Sequence, residues 1–394
     1  MRRDPLDHLS SEVQALRDQG LYRRFRVLDE EQKARASIDH HSVVNLSSNN
    51  YLGLTTHPAL RERALEATRR LGVGSGSVRT IAGTMEIHLE LERRLAAFKR
   101  TEAAVVFQSG FTANAGTVAS ILGRDDAIVS DELNHASIID GARLSRAAIT
   151  VFPHRDAAAA REVVAALPRG QRTLLVTDGV FSMDGDLGAL PALCEVAEEF
   201  GCIMMVDDAH ASGVFGDHGR GTVDHFGLHG RVDVQVGTLS KAIGVLGGYV
   251  AGSKALIEFL YHRARPFLFS TSHPPAVAAA CLAALDVLES EPQLIARLWE
   301  NARFFKAGLA TLGFDTGASE SPITPVIVGD AALAMRLSDR LFERGVFAQG
   351  IGFPTVPRGR ARVRTIVTAT HTHDELQFAL DCFKAVGTEL GILG

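Results

Sequence analysis

Cysteine is scarce. Cys194, Cys202, Cys281 and Cys382 are the only four in 394 residues, and no two stand as Cys-x-x-Cys. That spacing indicates neither a zinc knuckle nor a disulfide framework, both of which need closely placed thiols. A strong charge of either sign is also missing. The formal net charge of −5 gives no electrostatic reason to expect nucleic acid as a partner. No unbroken apolar run is long enough to span a bilayer, and Met1-Arg2-Arg3-Asp4-Pro5-Leu6-Asp7 lacks the apolar centre of a secretory signal. Repeats and low-complexity linkers are absent. The 15 histidines raise the question of metal, but His371-Thr372-His373 has no cysteine partners or His-Glu-x-x-His helix, and His40-His41 sits in a polar segment. No metal site is therefore expected. These absences describe a soluble protein of a reducing compartment, expected in the cytoplasm, with no membrane or nucleic-acid partner.

What the chain does have is apolar content: 46% hydrophobic residues over this length can bury a large core, most simply in two domains. Short apolar runs predict strands at Ala103–Gln108, Ala127–Ser130, Ala148–Phe152, Thr173–Thr177, Cys202–Val206, Val232–Val236 and Gly248–Ala251. Helical patterns separate them; in Glu86–Lys99, for example, Ile87, Leu91, Leu95 and Phe98 recur at helical spacing. Alternation of this kind predicts an α/β fold with a mostly parallel sheet covered on both faces, and ligands at the carboxyl ends of its strands. After Pro274-Pro275 the character changes. A long apolar helix over Ala276–Leu288 leads to strands at Ile323–Val328 and Arg362–Val367, and Thr372 with Glu375 caps a final helix over Leu376–Leu390. The expected organisation is a loosely helical segment over 1–45, a large domain over 46–280 and a smaller α+β domain over 281–394.

The candidate site residues fall at strand ends. Asp207-Asp208-Ala209-His210 follows the apolar run Cys202–Val206, and Gly237-Thr238-Leu239-Ser240-Lys241 follows Val232–Val236. A carboxylate to pair with a pyridinium nitrogen and a lysine to form a Schiff base are the two protein parts that pyridoxal phosphate chemistry needs. Alone, Asp207 reads first as a helix cap or loop carboxylate; the ordered set Asp, His, Thr and Lys favours the chemical reading. Ser109-Gly110-Phe111-Thr112 opens a helix after a strand, which suits a phosphate or an ordinary turn. Gly72-Val73-Gly74-Ser75-Gly76-Ser77 follows a helical pattern rather than a strand, so it is not a dinucleotide fingerprint but an approach loop or a turn. His135, after another strand, can stack on a planar cofactor.

These segments resemble the α-oxoamine synthases, a family of fold-type I pyridoxal-phosphate enzymes that condense a small amino acid with an acyl-CoA. Ser47–Leu54, Ser109-Gly110-Phe111, Leu133–Ser137, Thr177–Gly185, Val206–His210, Gly237–Lys241 and Arg362-Val363-Arg364 match in the family's order. The resemblance implies pyridoxal 5′-phosphate on Lys241, Asp207 at the ring nitrogen, His210 at the phenolic oxygen and His135 against the ring face. It places Gly110, Phe111 and Thr238 at the phosphate, with Ser182 helping to fix the ring. Ser270 and Thr271 would reach the phosphate of a neighbouring subunit, which implies a homodimer. Asn49 and Arg364 would grip the amino-acid carboxylate, with His135 and Thr355 also facing substrate.

Acyl preference rests on finer features. Ser77–Thr84, Leu133–Asp140 and Arg265–Ser270 are similar to glycine C-acetyltransferase, also called 2-amino-3-ketobutyrate CoA ligase. Pro354-Thr355-Val356-Pro357 and Ser270–Pro275 are similar to 8-amino-7-oxononanoate synthase of biotin biosynthesis, in which Arg23-Arg24, or Tyr22 in their place, would meet the acyl carboxylate. The expectation is condensation of glycine with acetyl-CoA to 2-amino-3-oxobutanoate, with L-alanine and pimeloyl-CoA, or use of both acyl groups, as the alternative.

Overall fold

The computed structural model describes residues 4–18, 22 and 25–394. The first ordered strands form a hairpin, β1 (Arg35–Ile38) and β2 (His41–Asn45). Then come the strands of the main sheet, β3 (Ala103–Phe107), β4 (Ala127–Asp131), β5 (Ala148–Phe152), β6 (Thr173–Asp178), β7 (Ile203–Asp207), β8 (Val234–Thr238) and β9 (Gly248–Gly252). Their order is β3-β9-β8-β7-β6-β4-β5. Every pairing from β5 to β8 is parallel, and only β9 runs against its neighbours. All seven expected strands are present, Ala148–Phe152 with the expected bounds and the other six shifted by one or two residues at one or both ends.

The apolar runs are continuous because both faces of the sheet are covered. Leu174, Val176 and Met205 point into one core beneath the helices Gly110–Ile121 and Ala136–Ser145. Leu175, Met204 and Val206 point the other way, beneath Ala157–Ala165 and Leu190–Phe200. A third core joins Val106 and Tyr249 to the helices Glu86–Lys99 and Pro275–Ser290. Since the parallel strands share one direction, Phe107, Asp131, Asp178, Asp207 and Thr238 all end strands on the same edge.

The carboxyl-terminal part builds a small antiparallel sheet from β10 (Ile323–Gly329), β12 (Gln349–Ile351) and β13 (Ala361–Ile366), in the order β10-β13-β12. The helix Ala331–Glu343 packs on it. In the last helix, His373–Glu389, Thr372 Oγ1 accepts from the Glu375 N–H at 3.2 Å and Glu375 Oε2 from the Thr372 N–H at 3.0 Å, forming a reciprocal cap.

The amino-terminal part differs from the loosely helical expectation. His8–Asp18 is helical and buries none of its side chains, but residues 35–45 form the β1–β2 hairpin. Ala34, Ala36 and Ile38 alternate inward at 6%, 1% and 3% exposure, the period of a strand. The turn uses Asp39 and His40, both at positive φ (50° and 63°), without the usual glycine. β2 pairs in parallel with the two-residue strand β11 (Val346–Phe347), so this hairpin joins the carboxyl-terminal part. The helix Pro275–Ser290 runs across the boundary expected at 280.

Candidate active site

Asp207 ends β7 near the middle of the main sheet and is 5% exposed. Its Oδ2 accepts from Asn114 Nδ2 at 2.6 Å and its Oδ1 from the Ala209 N–H at 2.8 Å. Both partners can only donate, so the carboxylate is fixed as an acceptor. Three residues on, His210 is buried with Nδ1 2.7 Å from the Tyr51 hydroxyl. Burial first, and then the positive charges of Lys241 and Arg364, hold its pKa well below the usual imidazole value.

His135 caps the helix Ala136–Ser145, with its Nδ1 accepting from the Ser137 N–H at 3.2 Å and lying 2.7 Å from Ser137 Oγ. A backbone N–H can only donate, so the neutral ring carries its hydrogen on Nε2. Burial lowers this imidazole's pKa as well. Lys241 follows β8. Burial pulls its ammonium down to about 8 against the opposing pull of Asp207 and Asp178.

The phosphate-side candidates are adjacent. Ser109 Oγ accepts from the Thr112 N–H at 3.1 Å and caps the helix Gly110–Ile121, whose first N–H groups are those of Gly110 and Phe111. Thr238 Oγ1 donates to the Gly247 carbonyl at 2.9 Å and lies 2.7 Å from Ser240 Oγ. Close packing here depends on glycine. A Cβ on Gly248 would sit 2.4 Å from the Ser109 carbonyl oxygen, and one on Gly110 would lie 3.3 Å from Thr238 Cβ. Gly110, Phe111, His135, Ser182, Asp207, His210, Thr238 and Lys241 line one cavity of about 210 Å³.

Arg364 reaches this region from β13, donating to the Ser182 carbonyl at 3.0 Å and to Asn49 Oδ1 at 3.2 Å. Ser270, Thr271 and Thr355 do not line the cavity. Thr271 is exposed, its carbonyl accepting from Gln108 Nε2 at 2.9 Å, and Thr355 lies in an exposed turn where its N–H donates to Gly352 at 3.1 Å. Arg23 and Arg24 lie outside the described residues; Tyr22 is exposed, with the Arg17 guanidinium 4.6 Å above its ring.

Four further residues shape the site. Asp178 lines the cavity and is the register partner of Asp207. Burial, and then the Asp207 charge, raise its carboxyl pKa well above the ordinary range. Tyr51 orients His210, and Asn114 links Asp207 to Ser137. Arg362 is 1% exposed and binds Asp184 at 2.6 Å and the Met183 carbonyl at 2.9 Å, so two alternate β13 arginines clasp the loop that carries Ser182. Asp178, Tyr51 and Arg362 all stand inside segments that carry the family resemblance. Asn114 had no such signal beyond its place one turn into the helix after β3.

The donor set fits pyridoxal 5′-phosphate. A buried lysine with a low-pKa amine, a carboxylate fixed as an acceptor, and a helix start beside a threonine hydroxyl converge on one cavity. Fold and site together define a fold-type I pyridoxal-phosphate-dependent transferase. The chain belongs to the aminotransferase class I and II family, whose model matches residues 41–383. It is 61% identical to an 8-amino-7-oxononanoate synthase of Symbiobacterium thermophilum, with 98% of this chain and 99% of that protein covered. An 8-amino-7-oxononanoate synthase of Bacillus subtilis is 54% identical, covering 98% of this chain and 99% of its own. Among solved structures, a serine palmitoyltransferase from S. paucimobilis with a bound PLP–myriocin aldimine superimposes with a TM-score of 0.94 at 32% identity, covering 99% of this chain and 100% of that one.

These relatives overturn the expectation of a glycine C-acetyltransferase. That expectation rested on Ser77–Thr84, Leu133–Asp140 and Arg265–Ser270. Leu133–Asp140 forms the His135 cap and the start of its helix, while Arg265–Leu268 packs as a short helix against Gly110–Ile121. Of the three segments only Leu133–Asp140 contributes a cavity residue, His135.

Proposed function

We propose that this protein is an 8-amino-7-oxononanoate synthase, condensing L-alanine with pimeloyl-CoA in biotin biosynthesis. The observation that carries the proposal is 54–61% identity, over nearly the whole chain, to proteins of that name. The reaction balances as alanine plus pimeloyl-CoA giving 8-amino-7-oxononanoate, CoA and carbon dioxide. The new bond joins the amino-acid Cα to the thioester carbonyl carbon; the C–S bond and the bond to the amino acid's carboxylate break.

When bound, pyridoxal 5′-phosphate supplies an electron-accepting ring that stabilises negative charge at the amino-acid Cα. Lys241 would carry the cofactor, Asp207 would face its ring nitrogen, His210 its phenolic oxygen, and the Gly110 and Phe111 N–H groups with Thr238 its phosphate. Ser182 would help hold the ring. Asn49 and Arg364 would bind the substrate carboxylate, Arg364 through its two-pronged guanidinium. The Lys241 amine would take the Cα proton. An amine pulled to about 8 keeps a usable neutral fraction near physiological pH, which an ordinary lysine does not. His135 stands in the cavity with Nε2–H free to donate to oxygen charge developing on the thioester carbonyl. Thr355, on its exposed turn, would meet the acyl chain.

We propose further that the enzyme works as a homodimer, Ser270 and Thr271 of one subunit reaching the phosphate held by the other. Supporting this, Thr271 is exposed outside its own cavity, and Ile81 and Phe269 nearby are 82% and 69% exposed. Incubation with L-alanine and pimeloyl-CoA, followed by mass spectrometry, tests the assignment. It requires 8-amino-7-oxononanoate with stoichiometric free CoA; absence of that product from cofactor-loaded protein refutes it.

A further inference from the structure

Neither Asn114 nor Ser137 has been assigned a contact with cofactor or substrate, yet both are buried, at 1% and 0% exposure, between two of the groups that have. Asn114 lies one turn into the helix Gly110–Ile121, and Ser137 in the first turn of Ala136–Ser145. The Asn114 amide nitrogen donates to Asp207 Oδ2 at 2.6 Å and to Ser137 Oγ at 2.9 Å. The reversed amide would set its oxygen against a carboxylate oxygen, so only one orientation is possible. Because Ser137 Oγ accepts from a group that can only donate, its own hydrogen is left for His135 Nδ1, 2.7 Å away. Hydrogen placement is thereby fixed from Asp207 through Asn114 and Ser137 to His135.

The packing of the two helices makes this reach possible. Gly141 sits inside the helix Ala136–Ser145, where glycine costs about 1 kcal/mol relative to alanine. A Cβ there would lie 3.0 Å from Ala115 Cα and 3.2 Å from the Asn114 carbonyl oxygen. The glycine therefore allows the helices to approach at the level where Asn114 meets Ser137.

We propose that Asn114 and Ser137 are positioning residues forming one buried relay, which sets the Asp207 carboxylate and the His135 tautomer together. The ring-nitrogen side and the ring-face side of the cofactor site are then built as a unit. This rests on the reading that Asp207 and His135 meet the cofactor, and it holds whatever the acyl substrate.

Two measurements test it without turnover. In apoenzyme carrying ¹⁵N-histidine, with the His135 signal assigned by its loss in His135→Gln, wild type is expected to show the Nε2–H tautomer alone. The Ser137 N–H, 3.2 Å from Nδ1, stays in both variants, so Asn114→Ala and Ser137→Ala are expected to add a minor population with hydrogen on Nδ1, where the shorter 2.7 Å bond is lost or free to reverse. The Kd for pyridoxal 5′-phosphate, read by visible absorbance, is expected to rise about tenfold or more in Asn114→Ala, the scale of one charge-assisted hydrogen bond. In the double variant the Kd should rise no further than in the worse single variant, because a relay breaks once. An unchanged tautomer and Kd in both variants, or losses that multiply in the double variant, would overturn the proposal. If Asn114→Ala fails to fold, the smaller change Ser137→Ala decides it through the His135 tautomer. Wild-type protein that does not take up the cofactor would instead refute the underlying reading.

Discussion

The Tyr51 hydroxyl lies 2.7 Å from Nδ1 of His210, and both side chains are buried. Burial keeps the phenol protonated well past its ordinary range and the imidazole neutral well below its own. The Tyr51 hydroxyl has no other hydrogen-bond partner among the described residues, so its hydrogen goes to Nδ1, which accepts, and the hydrogen of His210 is left on Nε2. His135 reaches the same state through Ser137. Two neutral imidazoles on the cavity wall thus both present N–H donors. Tyr51→Phe removes the donor and leaves a buried acceptor unpaired, at a cost of about 1–3 kcal/mol. It should lower kcat/KM about tenfold or more and shift the visible absorbance of the bound cofactor, with Tm falling by about a few degrees. Wild-type absorbance and kinetics in this variant would show that Tyr51 does not set the His210 tautomer.

Asp178 and Asp207 are adjacent carboxyls with opposite expected tolerances. Burial and the neighbouring charge raise the Asp178 carboxyl pKa and so favour its neutral form, which the amide analogue resembles. Asp178→Asn should stay within about threefold of wild-type kcat, since no charge is lost. Asp207→Asn removes the charge assigned to the ring nitrogen and should lose about a hundredfold or more. Similar losses in the two variants, measured by steady-state kinetics, would show that the pair does not divide its roles this way.

Arg364 is assigned to the amino acid and not to the thioester. Arg364→Ala should raise the KM for alanine about tenfold to a hundredfold, since charged hydrogen bonds are worth about 1.5–3 kcal/mol each. The KM for pimeloyl-CoA should move far less. Arg364→Lys keeps the charge but not the fork, so partial recovery is expected. Equal weakening toward both substrates would mean that Arg364 supports the loop carrying Ser182 rather than the carboxylate.

His154 gives a pH dependence of stability away from the cavity. Its ring lies 3.1 Å from Asp131 and 2.9 Å from Asp186. Burial disfavours the charged ring, but the hydrogen bonds to the two carboxylates outweigh it and lift the pKa to about 9. A folded-state pKa above the unfolded one gives stability that is fully present below about 6.5 and lost as pH rises through about 9. The Tm difference between wild type and His154→Gln should therefore be largest near pH 6 and shrink by about pH 9.5. A gap that does not change with pH would show that the two carboxylates do not hold the ring charged.

The main sheet was legible because a strand buried on both faces needs an unbroken apolar run, and Leu174–Val176 and Met204–Val206 supply one on each face. Asp207, His210 and Lys241 were legible because strand ends deliver side chains to a single edge. The β1–β2 hairpin was obscured by its shortness, with Arg35, Ser37, His41 and Ser42 outward, and by a turn of Asp39 and His40 without glycine. The two-residue β11 has no periodicity to read. Asn114 and Ser137 were hidden for a different reason: they meet only because two helices pack closely at Gly141, and no local pattern encodes that contact. Acyl preference was misread because, of the three segments that suggested acetyl-CoA, only Leu133–Asp140 places a residue, His135, in the cavity.

The most direct test sets the two substrate pairs against each other. Purified, cofactor-loaded enzyme is given L-alanine with pimeloyl-CoA and, separately, glycine with acetyl-CoA, and free CoA release is followed to obtain kcat/KM for each acyl-CoA. The pimeloyl pair is expected to exceed the acetyl pair by on the order of a hundredfold, since a site shaped for a long acyl chain recovers binding energy that a two-carbon group cannot provide. Equal values, or faster turnover of the acetyl pair, would contradict the assignment as an 8-amino-7-oxononanoate synthase.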